Sequence, residues 1–224
     1  NVVAAGGITD GSFMFSSNID AFGEEGSFIL ETENGTASTE TVEIPTGSYN
    51  VTEGVPVDYN LTSIACTGTE ASVDGGVYLQ LQKGDIVVCT FTNTPRVGKI
   101  TVVKNVVEAG GVTDGTFGFT SDIDLLGDFN LTTENGTAST ETLEVPVGEY
   151  AIDEIVPEGW NLNSVSCVDL NDVNDDEVEL DSVGVQAASA EANVTEGSDI
   201  VCTFENERET LTIQVIENSI GGDD

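Results

Sequence analysis

Two tandem antiparallel β-sandwiches followed by a spare strand are what this sequence predicts. Three observations carry that expectation: the chain repeats itself once, its apolar residues alternate with polar ones, and no stretch shows the 3.6-residue stripe of an amphipathic helix. The repeat is plain. GGITDGSFMFSS (6–17) returns as GGVTDGTFGFTS (110–121), and TENGTASTET (32–41) recurs unchanged at 133–142. PTGSYNVTEGVPVDYNLTSIAC (45–66) matches PVGEYAIDEIVPEGWNLNSVSC (146–167), and GDIVVCTFTNTP (84–95) matches GSDIVCTFENER (197–208). Domain 1 is therefore expected over 1–95, a linker over 96–99, domain 2 over 100–207 and a tail over 208–224.

Within a module, ITVVKNV, GTFGFTSDI, DFNLTTE, STETLEVP, EYAIDEI, WNLNSVSCV and DIVCTFEN read as seven short strands. Asn34-Gly35 and Asn135-Gly136 supply the pair of positive φ angles that a type I′ turn demands. Seven strands in about 100 residues make an Ig-like sandwich. Each module holds one early and one late cysteine, so Cys66–Cys89 and Cys167–Cys202 are the economical disulfides, with four buried thiols as the alternative. Each bridge would add about 3 kcal/mol on a loop-entropy model and would place the chain outside a reducing cytosol.

Composition excludes several functions. The 224 residues carry 41 acids, 5 bases and no histidine, a net charge of −36. Nucleic acid and anionic membranes repel such a surface. Without histidine neither a Ser-His-Asp nor a Cys-His catalytic set can be assembled, and a His/Cys zinc site is equally out of reach. Acid pairs such as Glu24/Glu25 do not by themselves mark a glycosidase. No enzyme is expected, and no membrane-inserted segment: no run of 18 apolar residues occurs. The first residue is Asn rather than Met, which reads as a processed or clipped start.

The opening strand ITVVKNV, the GG-TDGTFGFTSD turn, VPVGEYAIDEIVPEGWNL and the closing VCTFENER together resemble the prealbumin-like (SpaA/Cna-B-type) surface-protein modules. Domain 1 departs from that pattern at Asp58, where domain 2 has Gly159. The resemblance implies stacked modules in an adhesin, pilin or stalk, and an extracellular, cell-surface location. It also implies roles for an inward lysine on the first strand, an asparagine on the last and a buried acid. Those fall on Lys104, Asn206 and Glu154, which could form an isopeptide bond. A lysine that reaches solvent or merely pairs with Glu154 is the alternative. Domain 1 keeps Glu53 and Asn93 but has no such lysine.

The two copies differ at one boundary. Domain 2 opens with Ile100–Lys104 before Asn105-Val106-Val107, whereas domain 1 opens at Asn1-Val2-Val3, so its first strand is missing. After domain 2 comes ETLTIQVIEN (209–218), here aligned with Leu211 on Ile100 and Val215 in the lysine slot. Leu211, Ile213 and Val215 alternate onto one face, and burying three such side chains is worth roughly 5–8 kcal/mol. The tail is thus expected to complete domain 1 of another copy by strand donation, building a head-to-tail homopolymer without covalent links. A fragment of a longer tandem adhesin or stalk, and a tail folded into its own domain 1, are the competing expectations.

Lesser signals remain. Asp172, Asn174 and Asp176 resemble the start of a calcium loop, yet Glu177 replaces its glycine and Val183 its bidentate glutamate. A solvated acidic loop is the plainer reading, and no cofactor is expected beyond that imperfect Ca²⁺ candidate. Glycosylation sequons occur at Asn34, Asn50, Asn60, Asn130, Asn135 and Asn193. Asp10, Asp20, Asp114 and Asp124 recur between modules as turn formers or ligands.

Overall fold

A computed structural model describes residues 1–23, 26–68, 70–73 (backbone only), 75–172 and 188–216. No helix is long and apolar enough to cross a membrane among these residues. Domain 1 contains β1 (Ser12–Ser17), β2 (Ser27–Glu31), β3 (Gly47–Gly54), β4 (Tyr59–Cys66), β5 (Glu70–Val73), β6 (Gly76–Leu81) and β7 (Cys89–Pro95). Its large sheet runs β2-β1-β3-β6-β5, and facing it stand only β4 and β7. Phe13, Phe15, Val51, Val77, Leu79 and Phe91 alternate inward from both layers and fill the core.

Domain 2 contains β8 (Val97–Val107), β9 (Thr116–Ser121), β10 (Phe129–Thr132), β11 (Thr137–Ser139), β12 (Leu143–Pro146), β13 (Gly148–Ile155), β14 (Trp160–Asp169), β15 (Ala188–Val194) and β16 (Asp199–Arg208). One sheet is β10-β9-β13-β15; the other is β11-β8-β16-β14, with β12 also on β8. An all-β sandwich is therefore present twice, with details that periodicity did not reveal. First, β8 and β16 pair in parallel, Ile100 beside Ile200 through Val107 beside Glu207, in an otherwise antiparallel domain. Second, β15 went unread because its inward residues are Ala188, Ala190, Ala192 and Val194, and alanine is a poor strand signal. Third, the segment read as a linker is mostly strand. Val97, Gly98 and Lys99 pair with Pro146, Val145 and Glu144, which leaves Arg96 alone between β7 and β8.

The Asn-Gly turns form as expected: φ is 53° and 78° at Asn34 and Gly35, 55° and 86° at Asn135 and Gly136. Asp10 and Asp114 hold them, each accepting from the turn glycine's amide at 2.8 and 3.0 Å. In domain 2 that turn carries the chain from one sheet to the other, since β10 pairs with β9 and β11 with β8. Both disulfides, Cys66–Cys89 and Cys167–Cys202, are formed. They cross-link directly opposed residues of β4/β7 and β14/β16.

Candidate functional site: a buried triad and an open edge

β8 places Ile100, Val102 and Lys104 on one inward face, so Lys104 enters the core with no exposed surface. Its counterpart on β16 is Asn206, also fully buried, and β13 brings Glu154 from the opposite sheet. Lys104 Nζ donates to Asn206 Oδ1 at 2.8 Å, to Phe204 O at 3.1 Å and to Asn105 O at 3.0 Å. Asn206 Nδ2 donates to Glu154 Oε1 at 2.5 Å, and Glu154 Oε2 stands 3.6 Å from Lys104 Nζ. The Phe117 ring covers the ammonium at 4.4 Å. The three residues that the sequence singled out thus meet at one point.

Burial works toward the neutral forms of both groups, and their mutual attraction works against it. Burial pushes the Lys104 ammonium down to about 8, against the opposing pull of the Glu154 charge. The same burial raises the Glu154 carboxyl above its ordinary value, with Lys104 and Asn206 pulling it back. A neutral amine and a protonated acid on either side of a primary amide are the ingredients of transamidation.

Domain 1 has the same site without its nucleophile. Asn93 Nδ2 donates to Glu53 Oε1 at 2.8 Å, both residues being buried. Glu53 Oε2 and Asn93 Oδ1 are buried without a hydrogen-bond partner, on the side where Lys104 enters in domain 2. By the repeat, the counterpart of Lys104 falls just before Asn1, on the first strand, so the described residues place no lysine here. The chain's first residues supply only the far end of that strand: Asn93 N donates to Asn1 O at 2.9 Å and Val3 N to Asn93 O at 2.8 Å. Beyond them β7 is a free edge. Residues 37–46, which match the segment holding β11 and β12, form no strand, and β7 starts at Cys89 whereas β16 starts at Asp199.

The tail leaves domain 2 as an exposed, unpaired segment through residue 216. Leu211, Ile213 and Val215 are 93%, 83% and 90% exposed, so the tail is not folded into its own domain 1. Its departure corrects the sequence alignment. Glu209 N donates to Gly159 O at 3.0 Å, as Arg96 N donates to Asp58 O at 2.7 Å. Glu209 is therefore the counterpart of Arg96, and the register moves by two: Ile213 matches Ile100 and Val215 matches Val102. The inward face is unchanged because a strand repeats every two residues. Glu217, not Val215, then takes the lysine's place in the alignment, and it lies outside the described residues.

The six sequon asparagines are all exposed. Asn60, however, spends its side-chain nitrogen on Glu196 at 2.6 Å. Of the calcium candidates, Asp172 lies at the end of the loop after β14, while Asn174 and Asp176 fall outside the described residues. No cluster of metal-ligating side chains occurs among the described residues. Sequence reasoning also passed over a contact between the domains. Glu196, before β16, accepts from Arg96 Nε at 2.8 Å as well as from Asn60, and Arg96 Nη1 donates to Val57 O at 3.0 Å.

Both modules are disulfide-stapled sandwiches, and domain 2 buries a Lys-Glu-Asn set between its first strand, its last and the facing sheet. The chain belongs to the SpaA_4 family of prealbumin-like fold domains, which matches residues 2–95 and 100–208. No curated protein sequence matches it. Among solved structures it is similar to the major pilin T-13 of Streptococcus pyogenes, at 13% identity and a TM-score of 0.52 over 90% of this chain and 91% of that one. The T3.2 major pilin of the same organism gives 15% and 0.52 over the same shares. At these identities the likeness is one of fold.

Proposed function

We propose that this chain is a structural subunit of an extracellular, pilus-like filament, assembled when residues 209–216 of one copy add to β7 in domain 1 of another. One observation carries the reading. Domain 2 is closed by β8, domain 1 lacks that strand, and the chain holds a free strand of the right pattern where domain 2 ends. Adding it would pair the β7 edge, give residues 37–46 the partner that β8 gives β11 and β12, and bury Ile213 and Val215 as Ile100 and Val102 are buried. Because the donating and accepting surfaces differ, the contact is heterologous and propagates into a filament unless the copies close into a ring. A protein that is merely structural accounts for the absence of any histidine-based chemistry. Deleting residues 209–224 and imaging the product tests the reading; fibres that persist without the tail would sink it.

The way Glu209 mirrors Arg96 also favours a second reading, in which the tail opens a third module of a longer surface protein, an adhesin or stalk. The intact mass of the native chain separates the two.

Within domain 2 we infer an isopeptide bond between Lys104 and Asn206. Neutral Nζ attacks the Asn206 carboxamide carbon, Glu154 passes its proton to the departing nitrogen, and the proton lost from Nζ returns to Glu154. The C–N amide bond breaks, Nζ–Cγ forms and one ammonia leaves. A full-length mass lower than calculated by one ammonia, after correcting for two disulfides, is the expected outcome. Domain 1 presents no lysine beside Glu53 and Asn93 among the described residues, and no covalent link between copies is part of this reading.

A further inference from the structure

The contact between domains 1 and 2 contains a template for the contact between copies. At that contact Arg96 leaves β7, its amide held by Asp58 O, and its guanidinium bonds Glu196, which also receives Asn60. Val147 N and Gly197 N, from the same end of domain 2, donate to Arg96 O and Val97 O at 3.0 and 2.9 Å. The repeat supplies a counterpart for each part. At the far end of domain 2, Glu209 stands for Arg96, Gly159 for Asp58 and Asn161 for Asn60. At the near end of domain 1, Lys83 stands for Glu196, while Thr46 and Gly84 stand for Val147 and Gly197. Both charges are inverted. The cation moves from the departing strand to the receiving loop, and the anion makes the opposite move.

A second observation points to the same end of domain 1. Thr46, Gly47, Ser48, Gln80, Leu81, Gln82 and Lys83 line an open depression of about 440 Å³. Their counterparts are Val147–Glu149 and Asn193–Glu196, the end of domain 2 against which domain 1 is seated. In domain 2 that end closes on Gly98, whose missing Cβ would lie 2.5 Å from Ser198 Oγ and 2.6 Å from Val194 Cγ1 and Thr195 O. The tail carries Leu211 at Gly98's position. Of the counterparts of Val194, Thr195 and Ser198, Leu81 and Gln82 border the depression and Asp85 does not, so Leu211 needs the tail to stand farther from this end than β8 stands from its own.

We propose that the near end of domain 1 is the docking surface for domain 2 of another copy, clasped by Lys83 of the receiving chain and Glu209 of the donor, with donor Leu211 in the depression. The proposal rests on the head-to-tail reading above and adds to it a polar lock. Because Lys83 pairs with Glu209 whereas Glu196 pairs with Arg96, a tail carrying Glu209 meets repulsion at Glu196 and attraction at Lys83. That polarity steers the tail to domain 1 and away from domain 2.

Charge reversal in the full chain tests it. Lys83→Glu and Glu209→Lys each put like charges at every junction. Each is expected to raise the concentration needed for fibres about three- to tenfold at low salt, as a partly exposed pair allows. Mixed in equal amounts, the two variants are expected to polymerise near the wild-type threshold, since alternating copies restore an opposite pair at each junction. In about 1 M salt the differences should shrink. Single variants that assemble like wild type, or a mixture no better than its parts, would overturn the clasp. If deleting 209–224 still abolished fibres in that case, strand donation would stand and only the clasp would fall. Fibres that survive the deletion would remove both.

Discussion

Domains 1 and 2 share a sequence pattern, yet among the described residues the apolar core is much larger in domain 2. Ile100, Val102, Leu131, Val145, Val165, Ile200 and both its cysteines are buried there. In domain 1 the counterparts that exist, Leu30, Ile44, Ile64, Val87, Cys66 and Cys89, are only partly covered. The difference is one strand. Without a counterpart of β8, domain 1 lacks that strand's side chains, has two neighbouring segments unpaired and a shorter β7, and leaves buried Asn93 Oδ1 without the donor that Lys104 gives Asn206 Oδ1. A sandwich is cooperative across its layers, so a single missing edge is felt through the whole facing sheet.

Restoring the strand should erase the comparison. Placing the Val97–Lys104 sequence directly before Asn1 rebuilds the domain 2 order in domain 1. Such a chain is expected to lose polymerisation altogether and to gain roughly 5–8 kcal/mol in its weaker unfolding transition, read by calorimetry and imaging. Its added lysine should also cost the chain a second ammonia in mass.

Next in size is the triad. Lys104→Ala leaves Glu154 buried without its partner, and loss of about 3–5 kcal/mol is expected in the domain 2 transition, with domain 1 unmoved. Glu154→Gln keeps the shape and should instead return the intact mass to its calculated value.

The disulfides come third. Cys89→Ser and Cys202→Ser should each cost about 3 kcal/mol in their own domain. The two bridges should differ in access, because Cys202 is fully buried beside β8 while Cys89 borders the open edge. Under mild reductant, alkylation and mass spectrometry should find Cys66 and Cys89 labelled first, and fibre formation should slow that labelling.

Smallest is the pH response of Glu53. Burial raises its folded pKa above the ordinary 4.5. A raised carboxyl binds its proton more tightly in the folded chain, so its contribution is present below about pH 4.5 and fades as pH climbs through the raised value. Domain 1 should therefore gain stability on acidification from neutral pH toward that value, and Glu53→Gln should flatten the trend.

Much of this was legible because a repeat serves as its own alignment. It paired the cysteines and showed, by comparing two boundaries, where the modules differ, while the family resemblance pointed to Lys104, Glu154 and Asn206. Where reading failed, the cause was physical. β15 hides behind alanines, and Val97–Lys99 read as linker because its inward position is Gly98, where no Cβ fits, instead of an apolar side chain. The tail's register slid by two because period two looks the same after any even shift.

Residue order alone, then, determined the fold class and the cross-links, since each is a matter of which side chains exist and at what spacing. Tertiary structure decided what depends on simultaneous proximity. It made β8 parallel to β16, seated the lysine between amide and acid, and anchored Glu209 as Arg96 is anchored. It also brought Arg96, Asn60 and Glu196 together across a domain boundary. No spacing encodes that meeting, because it forms only when two folded bodies come to rest on each other.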